Sequence, residues 1–185
     1  MSKWLSFLLL ALCASAHAAP PPSAEDDIAR FAEDKGFLTK LEQVRVVMSD
    51  RASDLVVTAM GFLGVPYRRG GNSAETGFDC SGFVRAMYEQ TVGLVLPRRA
   101  NEQAAATQTI DKKDLQPGDL VFFNTMKHAF SHVGIYVGEG KFIHSPKPGA
   151  QVRVEDMGQN YWKQRFNGAR RVLAASSIEA PQASP

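Results

Sequence analysis

Gly77-Phe78-Asp79-Cys80-Ser81-Gly82-Phe83 is the stretch on which the reading of this 185-residue chain turns. Asp79 is a helix-capping residue type, and Phe83, Val84, Met87 and Tyr88 then recur at helical spacing up to Gly93, so a helix is predicted to open at Cys80. A thiol at a helix N-terminus meets free backbone N–H groups and the positive end of the dipole, which predicts a thiolate-favouring site. The only other cysteine, Cys13, lies in a predicted export signal. A lone thiol in an exported chain is a buried small hydrophobe, an intermolecular link or a nucleophile.

Downstream of this helix the texture changes. A short helix is predicted around 101–106, followed by strands at 120–123, 132–137, 141–144, 152–154 and 169–173. Helices first and short antiparallel strands afterwards indicate an α+β domain rather than a doubly wound sheet. Val133, Ile135 and Val137 alternate with His132, Gly134 and Tyr136, and the turn Gly138-Glu139-Gly140 sends the chain back through Phe142 and His144. If the hairpin loop holds an odd number of residues, His132 and His144 share one face of the sheet. In that arrangement His132 takes the proton of Cys80, and His144 accepts a hydrogen bond from the far nitrogen of His132 and fixes its tautomer. Spacing alone leaves two other readings open: a core thiol with two solvent-facing histidines, or a zinc site formed by Cys80, His132 and His144. His128, in the segment Asn124-Thr125-Met126-Lys127-His128-Ala129, reads as a surface loop residue.

Upstream, Leu55, Val56, Ala59, Met60, Phe62 and Leu63 form the stripe of a helix capped by Ser49, Asp50 or Ser53, which leads through Gly64 into Val65-Pro66-Tyr67-Arg68-Arg69-Gly70-Gly71. Residues 28–48 are expected to form one or two short helices broken near Gly36, preceded by an extended leader with Pro20-Pro21-Pro22. Residues 1–18 carry Lys3, an apolar run from Leu5 to Leu12 and the small-x-small site Ala16-His17-Ala18, the pattern of a signal peptide. That run is shorter than the roughly 20 apolar residues of a membrane span. Leu12 stands where a lipoprotein signal has a small residue, which argues against lipid attachment at Cys13. The predicted organisation is therefore signal peptide 1–18, linker and short helices 19–48, a main folded domain 49–173 and a flexible tail 174–185.

The charges nearly balance, 21 Lys and Arg against 19 Asp and Glu. Arg98-Arg99 and Arg170-Arg171 are isolated pairs, so no basic stripe supports nucleic-acid binding. The expected protein is neither nucleic-acid-binding nor an integral membrane protein.

With these residues in view, the chain resembles the NlpC-type bacterial cell-wall peptidases, a papain-like cysteine hydrolase family. The resemblance runs from about Ser53 to Val172. It is carried by Pro66-Tyr67-Arg68-Arg69-Gly70-Gly71, Asp79-Cys80-Ser81-Gly82-Phe83-Val84, Leu96-Pro97-Arg98 with Glu102-Gln103, Leu115-Gln116-Pro117-Gly118-Asp119-Leu120, and Ser131-His132-Val133-Gly134-Ile135-Tyr136. It implies a papain-like α+β fold, with N-terminal helices on a short antiparallel sheet or partial barrel. Cys80 would be the nucleophile, His132 the general base and His144 the polar third member. Tyr67 and the Cys80 backbone N–H would stabilise the oxyanion, and Asp79 and Ser81 would help hold the peptide. Asp79 has a structural role equally open to it, as the helix N-cap.

Arg99-Ala100 departs from relatives that carry Ser or Thr after Leu-Pro-Arg, and this bears on local substrate contacts. The resemblance implies an enzyme without cofactor or metal, acting in the periplasm on peptidoglycan stem peptides and resembling single-domain Gram-negative members. An envelope regulatory protein is an expected kind of partner. The alternatives are a thiol amidase or acyltransferase on another amide, and a non-catalytic wall-binding protein.

Overall fold

The computed structural model describes residues 35–125 and 128–173; the predicted signal peptide, most of the leader and the predicted tail lie outside the described residues. Everything from Val44 onward belongs to one compact unit, and residues up to Gln43 to a separate one.

Helix α1 spans Lys35–Met60 without a break. This corrects the expected interruption: Gly36 stands in its first turn, and Ser49, Asp50 and Ser53 are interior rather than caps. No proline falls between these ends, so nothing in the backbone stops a helix that downstream packing already holds. Leu55 and Ala59 are its buried anchors. Gly64, with φ 87°, turns the chain. Residues 64–67 then run beside 150–152, through Gly64 N–H to Val152 O at 3.0 Å and Tyr67 N–H to Ala150 O at 2.8 Å.

The hairpin β1 (Asn72–Ser73) and β2 (Gly77–Phe78) precedes α2 (Cys80–Val92), which ends at Gly93 with φ 73°. A short α3 (Ala100–Ala105) follows. The main sheet contains β3 (Gln108–Ile110), β4 (Leu120–Phe123), β5 (His132–Gly138), β6 (Lys141–His144), β7 (Arg153–Asp156) and β8 (Phe166–Arg171), with α4 (Asn160–Lys163) between the last two. Its order is β3-β8-β4-β5-β6-β7, antiparallel throughout. The sheet is open, so the expected alternative of a partial barrel resolves to helices on an antiparallel sheet.

Strand alternation divides the apolar residues between two faces. Leu120, Phe122, Val133, Ile135 and Ile143 pack with Phe83, Val84 and Met87 of α2 and with Leu55 and Ala59. Val121, Phe123 and Phe142 form a second cluster on the other face with Met157 and Trp162. All four residues of β4 are therefore buried. Alternation recovered most strands; the two-residue β1 and β2, the edge strand β3 and the four-residue α4 were too short to announce themselves.

Candidate active site

Cys80 is the first residue of α2. Its N-cap is Asp79, whose Oδ1 accepts from the Gly82 N–H at 2.8 Å. The first turn is pressed against the preceding loop: a Cβ at Gly82 would stand 2.1 Å from the Gly71 carbonyl oxygen, so only glycine allows this approach. Asp79 is also gripped by Arg98, with Nη1 to Oδ1 at 2.9 Å and Nη2 to Oδ2 at 2.6 Å. Oδ2 accepts in addition from the Gly70 N–H at 2.9 Å. Ser81 is buried, accepts from Arg98 Nη1 at 3.1 Å and donates to Asp79. The Asp79 and Ser81 side chains are thus engaged within the fold. Gln103 extends the brace, donating to the carbonyls of Ser81 at 3.0 Å and Pro97 at 2.9 Å.

The histidine pair comes from the adjoining strands. The turn at Glu139 and Gly140 has φ 53° and 72°, a two-residue turn with both central residues left-handed, and the ladder shifts between Tyr136 and Gly138. That bulge, rather than a three-residue loop, supplies the odd count that puts the two histidines on one face. Ile135 pairs with Ile143, so His144 lies across from Gly134 and diagonal to His132. His132 Nε2 and His144 Nδ1 are 2.6 Å apart. Gly134 makes room for this: a Cβ there would meet Phe142 Cδ2 at 2.6 Å and His144 Cβ at 3.1 Å.

Two residues not singled out from the sequence complete the pair's surroundings. Glu155 on β7 places Oε2 3.1 Å from His144 Nε2, and its Oε1 accepts from Arg153 Nε at 2.7 Å and Nη2 at 2.6 Å. Trp162 of α4 lies over both rings. It stacks on His132 with centroids 5.6 Å and planes 25° apart, and meets His144 edge-on at 5.1 Å. Both residues join the site through sheet register and a late helix, which local pattern does not convey.

Electrostatics here follow from burial. Burial first, and the Asp79 carboxylate second, push the Cys80 thiol up to about 11, against the pull of the backbone amides of Val133, Ser81 and Cys80 itself. This corrects the expectation that helix placement governs the thiol: a few aligned amides do not offset desolvation of the anion. Burial, then the neighbouring His144, push His132 down to about 3, while Glu155 pulls the other way. His144 is lowered by burial, opposed by its hydrogen bond to Glu155 and that carboxylate's charge. Burial would raise Glu155, but the His144 hydrogen bond and the charges of His144 and Arg153 outweigh it and hold the carboxyl at about 2.

Tyr67 is half-buried on the loop before the nucleophile. Its hydroxyl is raised by burial first and then by the fields of Cys80 and Asp79, so it lies close enough to the thiol to interact with it. The segment is held by Phe78 N–H to Pro66 O at 3.2 Å and Arg68 N–H to Phe78 O at 2.9 Å. His128 is exposed, as expected. Among the described residues no three His, Cys, Asp or Glu side chains are grouped to hold a metal, and His132 Nε2 is engaged by His144. No helix among the described residues is long and apolar enough to cross a membrane.

Residues 64–171 match the model described as the NlpC/P60 family. The chain is 43% identical over 119 residues to the murein DD-endopeptidase MepH of Escherichia coli K12, covering 63% of this chain and 44% of that protein. It is 39% identical over 125 residues to the gamma-D-glutamyl-L-lysine dipeptidyl-peptidase of Bacillus subtilis 168, covering 66% of this chain and 42% of that protein. The chain thus spans less than half the length of either of these relatives. The crystal structure of an NlpC/P60 family protein from Bacillus cereus superposes with a TM-score of 0.60 at 38% identity, covering 65% of this chain and 39% of that one.

Proposed function

Because the chain belongs to the NlpC/P60 family, a family of cysteine peptidases, we propose that it is an exported peptidoglycan endopeptidase. It hydrolyses an amide in murein stem peptides or their cross-links through an acyl-enzyme on Cys80. The observation that carries this reading is the buried line of His132 and His144, joined at 2.6 Å, with the backbone amide of Val133, the next residue in β5, near enough to Cys80 to pull its thiol pKa down.

The burial that favours the neutral thiol also favours the neutral imidazole, so proton transfer from sulfur to His132 accompanies attack rather than preceding it. The sulfur adds to the scissile carbonyl. Its oxyanion receives the Cys80 N–H and the Tyr67 hydroxyl, and the intermediate collapses as the imidazolium protonates the departing amine. His132 then activates water to release the acyl group and restore the thiol. Asp79 and Ser81 serve by fixing the nucleophile loop, since Asp79 is taken up by Arg98 and the Gly70 and Gly82 amides and Ser81 by Arg98 and Asp79.

Export to the periplasm is supported by the signal-like pattern of residues 1–18, and restraint there by an envelope protein is part of the same proposal. The two relatives named above differ in the bond their names specify, so the products must identify the bond cut here. Digestion of purified sacculi, followed by mass spectrometry of the muropeptides, is expected to release cleaved stems with wild-type protein and none with Cys80→Ala. Unchanged muropeptides at micromolar enzyme would overturn the endopeptidase reading.

A further inference from the structure

Glu155 lies two hydrogen bonds behind the proposed base, His132, and hydrogen-bond chemistry lets it dictate the state of every nitrogen between. An ionised carboxylate can only accept hydrogen bonds, and Arg153 occupies Oε1 with two donors, leaving Oε2 to face His144 Nε2 at 3.1 Å. His144 Nε2 must then carry a proton and donate it. In a neutral imidazole this leaves Nδ1 bare, and Nδ1 is the atom 2.6 Å from His132 Nε2. His132 Nε2 must in turn carry a proton, and its Nδ1 is left with the free lone pair.

Sheet register builds this chain one diagonal at a time. His144 pairs with Arg153 and Phe142 with Glu155 across β6 and β7, so Glu155 reaches His144 along a diagonal, as His144 reaches His132. The surroundings make the register matter. His132 and His144 are 4% and 0% exposed, and Trp162 covers both rings, so water cannot easily replace a mismatched donor. A proton misplaced within the pair would leave two donors or two bare acceptors facing each other in a buried site.

We propose that Glu155 is a positioning residue which, clamped by Arg153, sets the protonation register of the histidine pair and so selects Nδ1 of His132 as the nitrogen that receives the Cys80 proton. Glu155 touches neither substrate nor sulfur, and acts through His144. The assignment rests on the peptidase reading above, but its first test needs no substrate.

Long-range proton–nitrogen spectra of protein labelled in its histidines distinguish the two imidazole tautomers. At neutral pH the wild-type protein is expected to show both His132 and His144 as Nε2–H forms. Glu155→Leu, which removes the acceptor, should give mixed tautomers and lower kcat about 10- to 100-fold, the range in which outer partners tune metal-bound histidines, with KM within about twofold of wild type. Glu155→Gln has a single carbonyl oxygen, which the two Arg153 donors claim, so its NH2 faces His144 Nε2. It should reverse the register to Nδ1–H forms and lower kcat about as far as Glu155→Leu, and Nε2–H forms retained in Glu155→Gln would overturn the proposal.

An Nδ1–H His132 in the wild-type protein would overturn the proposal. So would unchanged tautomers in Glu155→Leu, or a loss of activity confined to KM. Should Glu155→Leu fail to fold, the wild-type spectrum and Glu155→Gln still decide. A failed sacculus digestion with the expected tautomers would count against the peptidase reading alone.

Discussion

Two arginine–carboxylate clamps flank the site, and they do different work. At the nucleophile, Arg98 grips Asp79, whose remaining capacity goes to the backbone amides of Gly70 and Gly82. At the far end, Arg153 grips only Oε1 of Glu155 and leaves Oε2 for His144. The first clamp holds a loop and a helix terminus together by geometry, and its charge even raises the thiol's pKa. The second directs its charge along the histidines towards the base. Similar ion pairs thus become a brace or an electrostatic support according to where the spare oxygen points.

Both clamps matter only if they serve the same reacting atoms. Cys80→Ala should lower kcat on sacculi by at least about 10⁴-fold with circular dichroism unchanged, and His132→Ala by a similar factor, because nucleophile and base act as a unit. His144→Ala should leave a folded enzyme with a rate reduced by less than His132→Ala, since His144 orients; equal losses would break that division. Tyr67→Phe should lower kcat by about 10- to 100-fold at nearly constant KM, because the backbone donor of the oxyanion site remains.

Next in size is the contrast between the arginines. Arg98→Ala should cost about 1–2 kcal/mol of stability, between the values for exposed and buried pairs, visible as a lower Tm. Arg153→Ala should leave the Tm nearly in place and lower kcat instead, since 45% of its side chain is exposed. Interchanged outcomes would refute the distinction drawn here.

The smallest effect is on stability against pH. His132 is depressed to about 3 and His144 is lowered too, so the unfolded chain binds protons near the ordinary histidine pKa before the folded one does. Their contribution is complete above about 6.5 and is lost as pH falls towards 3. Glu155, held at about 2, adds a loss below its ordinary range near 4.5. Calorimetry should show Tm falling from pH 7 to pH 4, with a shallower fall in His132→Gln.

Only the local part of the brace was legible in the sequence, since Arg98, 19 residues from Asp79, read there as one of an isolated pair. Asp79 beside Cys80 announces a helix cap, and the alternation through His132, Gly134 and Tyr136 marks β5. The support was not. Glu155 and Trp162 reach the histidines through the pairing of β6 with β7 and the position of α4, which are properties of long-range register. The uninterrupted α1 shows the opposite error: Ser49, Asp50 and Ser53 are good N-caps, but a capping residue starts a helix only where the turn before it is not already helical.

The elevated thiol pKa has a consequence for durability. Oxidants and alkylating agents attack the thiolate, and a thiol held near 11 presents almost none of it at neutral pH. In the non-reducing compartment to which export would bring it, Cys80 would resist peroxide and mixed-disulfide formation between turnovers. Its reactivity would be released only while His132 is positioned to accept the proton.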